Sequence, residues 1–243
     1  MDYIWIYAIA AAVILLVIAG LIYWSVHKKV SEAEARQKSK LKKQMTSNIA
    51  HELRTPVTTI RGYLETLIAC PDMPQEKKQE FIEKAYNQTI RLTELITDMS
   101  LISKMEEKSS KFQKESIDLY TVANEVFDEF SGRIADQNVK VENKLSAGTV
   151  LTGNRTLVYT IIKNLVENSL KYAGDGITIH LECYSSIDKY CYLTYYDTGA
   201  GVPEEHLEQI FERFYRIEEG RTRDVGGSGL GLSIVKNAVK FHG

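Results

Sequence analysis

Proline, glycine, cysteine and surplus positive charge are all scarce in this sequence. Its 243 residues include only 4 Pro and 15 Gly, and 30 Lys and Arg against 32 Asp and Glu give a net charge of −2. This composition excludes a collagen-like, mucin-like or wholly disordered chain, and it provides no basic field for binding nucleic acid. The three cysteines, Cys70, Cys183 and Cys191, form no CxxC pair. We therefore expect small buried thiols rather than a zinc knuckle or a disulfide scaffold.

Charged residues are also absent between Asp2 and Lys28, and the apolar core of this stretch covers residues 4–24. At about 1.5 Å per residue, a helix of that length spans the roughly 30 Å hydrocarbon layer of a bilayer. Aromatic residues lie at both ends, as in membrane helices. A cleaved signal peptide is disfavoured because the chain starts with an acidic residue and the apolar stretch is long. The sequence predicts a transmembrane helix within residues 1–27.

A basic segment follows this helix and sets its orientation. Residues 27–44 carry seven Lys and Arg against two Glu, whereas the N-terminal side offers only Asp2. The positive-inside rule then places the N-terminus outside the inner or plasma membrane and residues 28–243 in the cytoplasm. The linker at 28–39 also has the charge to contact anionic membrane lipid. Because the outer end is so short, we expect signals to arrive within the bilayer or through a membrane sensor partner.

Residues 40–105 are predicted to form two long amphipathic helices. The break between them is the segment 70–74, in which two prolines interrupt the helical pattern. Apolar positions of the second helix alternate at three- and four-residue spacing, as in a coiled coil: Ile82, Ala85, Thr89, Leu92, Ile96 and Met99. One hairpin has too little core to fold alone, so we expect a homodimer that forms a four-helix bundle.

A polar linker at 106–114 separates this hairpin from a different pattern. Helical and strand-like segments follow: helices at 119–136 and 154–173, and strands at 138–145, 176–185 and 190–197. The last two strands are predicted to form a hairpin. Residues 115–243 are therefore expected to fold as an α+β two-layer sandwich.

Two glycine-rich segments carry the first chemical signal. Asp197 precedes the sequence TGAG at the end of a predicted strand, and the segment 226–232 (GGSGLGL) precedes a helix at 233–241. Glycines before a helix N-terminus let backbone N–H groups approach phosphate oxygens, and the helix dipole favours the anion. The pattern is neither a Walker A loop nor a dinucleotide fingerprint. A mobile hinge explains these glycines equally well.

Polar residues on the predicted helix at 154–173 and on the first helix of the hairpin carry the second chemical signal. Asn164 and Asn168 lie one turn apart, so their amide oxygens can hold a hydrated Mg²⁺, although a polar helix stripe is the alternative. On the first helix, His51 is expected on the exposed side, beside Glu52. That carboxylate can hold one ring nitrogen and leave the other as a nucleophile. An exposed histidine is otherwise usually just a solvated polar residue.

Together these segments resemble the membrane sensor histidine kinases of two-component systems. Five motifs occur in that family's order: SNIAHELRTPVTTIRGYLETL for the phospho-acceptor H-box, NLVENSLKYA for the N-box, DTGAGVP for the G1 box, IFERFYR for the F-box and GGSGLGLSIVK for the G2 box. The resemblance covers roughly residues 40–243. It implies a phospho-acceptor hairpin joined to a histidine-kinase ATPase domain. The implied reaction is ATP-dependent autophosphorylation, followed by phosphoryl transfer to an aspartate of a cytoplasmic response regulator.

The resemblance also implies roles for individual residues. His51 would accept the γ-phosphoryl group, Glu52 would act as general base, and Thr55 would orient a water that dephosphorylates the regulator. Asn168 would ligate Mg²⁺ with help from Asn164. Asp197 would accept a hydrogen bond from the adenine amino group of ATP. The other residues that would contact or enclose ATP are Lys171, Tyr172, Gly199, Gly201, Arg216, Gly227, Gly229, Leu230, Gly231 and Leu232.

Two departures from the family pattern raise alternatives. The segment before the H-box is too short for the signal-relay module that many relatives carry. The chain also stops at Gly243, where relatives continue into the last two strands of the sheet, so we expect a truncated kinase with weak activity. The alternatives are a catalytically silent dimeric membrane adaptor and a regulator phosphatase. An ATPase of the chaperone or topoisomerase type is disfavoured because it would not need His51.

Overall fold

The computed structural model describes residues 4–106, 112–187, 190–217 and 227–243. The predicted linker at 106–114 therefore lies partly outside the described residues. The segment 212–228, which the resemblance to histidine kinases implies to be a lid over the nucleotide, also lies partly outside them. Two compact units make up the chain, residues 1–54 and 55–243.

Two long helices form the N-terminal part of the chain. Helix α1 spans Ile4–Ala69 and helix α2 spans Gln75–Glu106. The break between them lies at the predicted proline-containing segment, and the rings of Tyr63 and Phe81 meet across the hairpin at 5.4 Å. The predicted helical hairpin is confirmed. Cys70 lies in its connecting loop and is exposed, so the expectation that all three thiols are buried was wrong.

The predicted membrane segment consists largely of residues whose side chains lie outside the described part of the chain. Among the residues that are described, no helix is both long and apolar enough to cross a bilayer. The transmembrane helix stays a prediction.

An α+β domain follows. Its elements are β1 (Glu115–Asp118), α3 (Leu119–Glu129), α4 (Ser131–Asp136), β2 (Lys140–Asn143), β3 (Val150–Gly153), α5 (Arg155–Tyr172), β4 (Thr178–Ile187), β5 (Tyr190–Asp197), a short 3₁₀ turn (Glu204–His206) and α6 (Gly231–His242). The two-layer domain is thus present. The helix predicted over 119–136 is interrupted at Phe130, whose φ of −93° and ψ of 6° leave the helical region while its side chain enters the core.

The strands form two small sheets. One has the order β2-β4-β5, with β2 parallel to β4 and β4 antiparallel to β5, which is the predicted hairpin. The other pairs β1 with β3 in antiparallel register. Strands β1 and β3 were not predicted because their sequences, ESID and VLTG, do not alternate between apolar and polar residues.

Helices α3 and α5 are amphipathic and build the core against the larger sheet. Side-chain caps start both helices: Asp118 accepts from the N–H groups of Tyr120 and Thr121, and Asn154 accepts from that of Leu157. The α5 positions that repeat every four residues are buried: Val158, Ile162, Val166 and Leu170. Each such side chain contributes about 1.5–3 kcal/mol relative to an exposed one. This packing fixes which face of α5 remains open for a site.

Candidate active site

Asp197 ends strand β5 and is held there by two donors. The Ser169 hydroxyl on α5 donates to one carboxylate oxygen at 2.6 Å, and the Gly199 N–H donates to the other at 3.0 Å. The Tyr195 hydroxyl lies 2.8 Å from the same serine hydroxyl. Burial raises the pKa of Tyr195 well above its usual range, and the nearby Asp197 carboxylate adds to the rise. The phenol therefore stays neutral and can act as a hydrogen-bond partner.

Gly199 and Gly201 allow the turn after Asp197. A Cβ at Gly199 would lie 2.4 Å from the Cβ of Ala173, so only glycine fits this close approach to the end of α5. Gly201 has a φ of +71°, which side chains disfavour. The glycines of the predicted G1 box thus have a structural cause.

The second glycine segment packs against α5 and the F-box. A Cβ at Gly227 would lie 2.5 Å from the Tyr172 hydroxyl oxygen, and one at Gly231 would lie 2.6 Å from Asn164 Oδ1. Gly229 has a φ of +67°, and its carbonyl accepts from the Phe214 N–H at 2.9 Å. Leu230 is fully buried and Leu232 is half-buried. The structure therefore brings the predicted N-box, F-box and G2 box together.

The comparisons with known proteins agree with this geometry. Residues 41–108 match the model of the His Kinase A (phospho-acceptor) domain. Residues 153–243 match that of the Histidine kinase-, DNA gyrase B-, and HSP90-like ATPase. The chain belongs to the sensor histidine kinase family.

Curated histidine kinases are similar over most of this chain. It is 31% identical to the sensor histidine kinase WalK of Bacillus subtilis over 83% of this chain and 33% of that protein. It is 33% identical to the signal transduction histidine-protein kinase BaeS of Escherichia coli over 83% of this chain and 42% of that protein. The chain therefore spans less than half the length of these relatives.

Solved histidine kinases share the fold. The Acinetobacter baumannii histidine kinase AdeS aligns with a TM-score of 0.63 at 24% identity, over 79% of this chain and 86% of that one. Histidine kinase ThkA, solved in complex with the response regulator protein TrrA, aligns with a TM-score of 0.60 at 23% identity, over 74% of this chain and 53% of that one.

The N-box side chains of this histidine kinase fit a hydrated Mg²⁺. Asn164 and Asn168 lie one turn apart on α5, and both are half-buried. The Asn164 amide nitrogen donates to the Thr160 carbonyl at 2.8 Å, so its oxygen points away toward the Gly231 backbone. Neutral amide oxygens are hard donors of the kind that Mg²⁺ accepts alongside phosphate and water. Among the described residues, no group of three or more His, Cys, Asp or Glu could hold a metal instead.

The charged residues of the predicted site have partners of their own. Lys171 Nζ pairs with Glu167 Oε1 at 2.7 Å along α5. Arg216, the last residue of the F-box, is half-buried, whereas Tyr172 is half exposed at the end of α5. An incoming phosphate would therefore compete with Glu167 for the lysine ammonium group.

Helix α2 contacts the ATPase domain at a face that sequence patterns missed. Leu95 and Ile102 are fully buried, and Asp98 lies between them with its carboxylate 3.5 Å from the Ser228 hydroxyl. At the end of α2, Glu106 forms an ion pair with Arg213 of the F-box. Burial raises the pKa of Asp98 to about 6, and the Glu167 and Glu94 carboxylates add to this rise.

The H-box residues lie on α1. His51 is exposed and Glu52 is half-buried, and both belong to the unit 1–54. Thr55 is exposed, and its carbonyl accepts from the Thr59 hydroxyl at 3.0 Å. The nucleotide residues all belong to the unit 55–243. The prediction that His51 lies on the exposed side of its helix is confirmed.

Two residues of the nucleotide site were missed by the sequence prediction. Ser169 is 3% exposed and supports Asp197, while Tyr195 supports the serine. The one available signal was a serine next to Asn168 within an otherwise apolar face of α5. A hydroxyl on a buried face needs a hydrogen-bond partner.

Proposed function

We propose that this protein is a membrane sensor histidine kinase that uses ATP to phosphorylate His51 and then passes the phosphoryl group to an aspartate of a response regulator. The observation that carries this proposal is the joint placement of Asp197, the asparagines of α5 and the glycine segment 227–231 around one end of α5. The phospho-acceptor family match over 41–108 supports the assignment of His51. A chaperone-type ATPase would have no use for that domain.

Phosphoryl transfer depends mainly on positioning and charge neutralisation, and these residues supply both. The Asp197 carboxylate, fixed by Ser169, would accept a hydrogen bond from the adenine amino group. The N-terminus of α6 and the glycine N–H groups would receive phosphate oxygens. Asn168 and Asn164 would hold Mg²⁺, which would neutralise phosphate charge when bound.

His51 would be the nucleophile in this reaction. A neutral ring nitrogen forms a bond to the γ-phosphorus while the bond to the ADP oxygen breaks. Glu52, adjacent on α1, would take the proton from the other ring nitrogen. In the opposing reaction, the dephosphorylation of the regulator, Thr55 would orient the attacking water.

Two protein partners belong to this proposal. The response regulator is supported by the ThkA structure, which contains one. A second copy of the chain is supported by large apolar side chains that the hairpin leaves exposed: Leu64, Ile68, Ile82, Ile90 and Ile96. Burying them in a four-helix bundle would remove this apolar surface from water.

Membrane anchoring is the third part of the proposal. It is supported by the uncharged residues 4–24 and by the basic segment 27–44. The linker at 28–39 would also contact anionic lipid, and the catalytic part would lie in the cytoplasm. The test is extraction of the expressed chain at alkaline pH. We expect it to stay with the membrane pellet until detergent is added.

A pulse–chase experiment tests the two-step function. The full chain in detergent is labelled with γ-labelled ATP and Mg²⁺, freed of nucleotide, and mixed with receiver domains from the same genome. We expect label to leave the chain and appear on one receiver as an acyl phosphate. A chain that hydrolyses ATP without ever carrying label would contradict the proposal.

A further inference from the structure

The remaining two cysteines form a contact outside the nucleotide site. Cys183 lies on β4 and Cys191 on β5, and their sulfur atoms are 3.5 Å apart. They are not directly opposite in the ladder, because Cys183 pairs with Leu193. A register shift between Cys183 and Ser185 disturbs the pairing at this point. Such an irregularity increases local twist, which can bring diagonal neighbours together.

The surroundings of this pair differ from those of the third cysteine. Cys183 and Cys191 are half-buried and pack against the domain core together with Tyr195. Cys70 is exposed in the loop between α1 and α2. The chain thus contains a paired set of thiols and a separate reference thiol.

Metal binding is a poor use for the pair. A structural zinc site needs four ligands of the Cys and His type. The described residues hold no group of three or more His, Cys, Asp or Glu that could bind a metal. Two adjacent thiols without further ligands have one chemistry readily open to them, which is mutual oxidation.

We propose that Cys183 and Cys191 are a redox-modification site that closes to a reversible intramolecular disulfide when a small-molecule disulfide is the oxidant. A disulfide bond is about 2.0 Å long, so the two sulfur atoms need to approach by only about 1.5 Å in total. Neither sulfur has to leave the sheet face on which it lies.

The reaction is an ordinary two-step exchange. The thiolate of Cys183 attacks one sulfur of the small disulfide, which forms a mixed disulfide and releases one small thiolate. The thiolate of Cys191 then attacks the Cys183 sulfur and releases the second. The dithiol loses two electrons, the small disulfide gains them, and the two protons of the cysteines go to the released thiolates.

The resting pair is expected to react slowly at neutral pH. Burial raises the pKa of Cys191 to about 11, and the hydrogen bond with Cys183 adds to this rise. Since the thiolate is the reactive form, the attack by Cys191 that closes the disulfide is expected to be slow at pH 7. Equilibrium measurements at pH 8 avoid this kinetic limit.

The test is a thiol count on the full chain in detergent. Cys70→Ser protein, which retains the two strand cysteines, is incubated overnight at pH 8 in reduced or oxidised glutathione. It is then alkylated and digested for mass spectrometry. Cys70→Ser/Cys191→Ser and Cys70→Ser/Cys183→Ser are the matched variants, and melting curves check that each folds. If a serine variant does not fold, alanine replaces serine.

We expect the Cys70→Ser chain to lose both alkylatable thiols in oxidised glutathione, with one internal link between the Cys183 and Cys191 peptides. A reductant should restore both thiols. The single-cysteine variants should gain only a glutathione adduct. Two thiols that stay alkylatable in oxidised glutathione, a lasting glutathione adduct on Cys183, or links only between chains would each overturn the proposal. None of these outcomes depends on His51 or on kinase activity.

Discussion

The carboxylate of Asp197 is fixed at both of its oxygens. Ser169 approaches from α5 and Gly199 from the turn that follows β5. The serine hydroxyl is itself in contact with the Tyr195 hydroxyl at 2.8 Å. Because the side chain cannot rotate without losing a hydrogen bond, its orientation toward a ligand is set before binding.

Replacing the charge at this position tests adenine recognition. We expect Asp197→Asn to weaken ATP binding by roughly ten- to hundredfold, because one charge-assisted hydrogen bond contributes about 1.5–3 kcal/mol. Titration with a fluorescent ATP analogue measures the affinity. Asp175→Asn, in an exposed loop of the same domain, is the matched control. Equal affinity in the two variants would show that Asp197 only shapes a turn.

Removing the supporting hydroxyl tests the missed residue. We expect Ser169→Ala to reduce ATP affinity less than Asp197→Asn does, and to lower the free energy of unfolding by about 1–3 kcal/mol because Tyr195 loses a buried partner. Urea unfolding and the same ATP titration measure both effects. If both the stability and the ATP affinity of this variant are unchanged, Ser169 does not support the nucleotide site.

At this scale the sequence predicted the ligand-facing residues better than their supports. Asp197, Asn164 and the glycines stand in recognisable motifs, and the structure brings them together. Ser169 and Tyr195 could not be assigned, because their role depends on α5 and β5 lying side by side. No local pattern states which helix packs on which strand.

Helix α2 uses two different faces. The predicted coiled-coil positions Ile82 and Ile96 are exposed, whereas Leu95 and Ile102 are buried on the face that carries Asp98. Helix α6 packs against α2. The ATPase domain thus packs against the face of α2 that contains the Asp98 carboxylate.

This carboxylate makes the stability of the packing depend on pH. The pKa of Asp98 is about 6 in the folded chain, against an ordinary value of 3.8. The folded state therefore holds the proton more tightly, and its stability falls as pH rises from about 4 to about 6 and stays reduced above that. Glu94, Glu167 and Lys171 are the charged groups that face it.

Asp98→Asn tests this effect because asparagine mimics the protonated acid. We expect the variant to be more stable than the parent by on the order of 1 kcal/mol at pH 7–8, a figure reduced for solvent screening, and equally stable near pH 4. Unfolding curves across this pH range supply the measurement. Asp72→Asn in the exposed hairpin loop is the control. A constant difference at all pH values would exclude titration of Asp98 as the cause.

Element boundaries were predicted well where one pattern dominated. The break between α1 and α2, helix α5 and the β4–β5 hairpin lie close to their expected places. The α2 face toward α6 was missed because α2 has two apolar stripes. The sequence alone does not show which stripe packs against a second copy of the chain and which packs against another domain. Strands β1 and β3 were missed because their sequences do not alternate between apolar and polar residues.

The whole molecule combines a phospho-acceptor hairpin with an ATPase domain, and its family was predictable from five motifs in a fixed order. Membrane anchoring and dimerisation concern surfaces beyond a single described chain, so they remain proposals. Because the nucleotide residues and His51 lie in different parts of the chain, we predict that ATP binding and phosphate acceptance can be lost separately. Changes in the ATPase domain should remove binding, whereas changes at His51 should not.

The most direct measurement locates the phosphate after incubation with γ-labelled ATP and Mg²⁺. We expect wild-type chain to carry acid-labile, base-stable label, and His51→Gln to lose all of it while it binds ATP with unchanged affinity. His27→Gln, which alters another exposed histidine of α1, should keep the label. Equal labelling of His51→Gln and wild type would contradict the assignment of His51 as the phosphate acceptor.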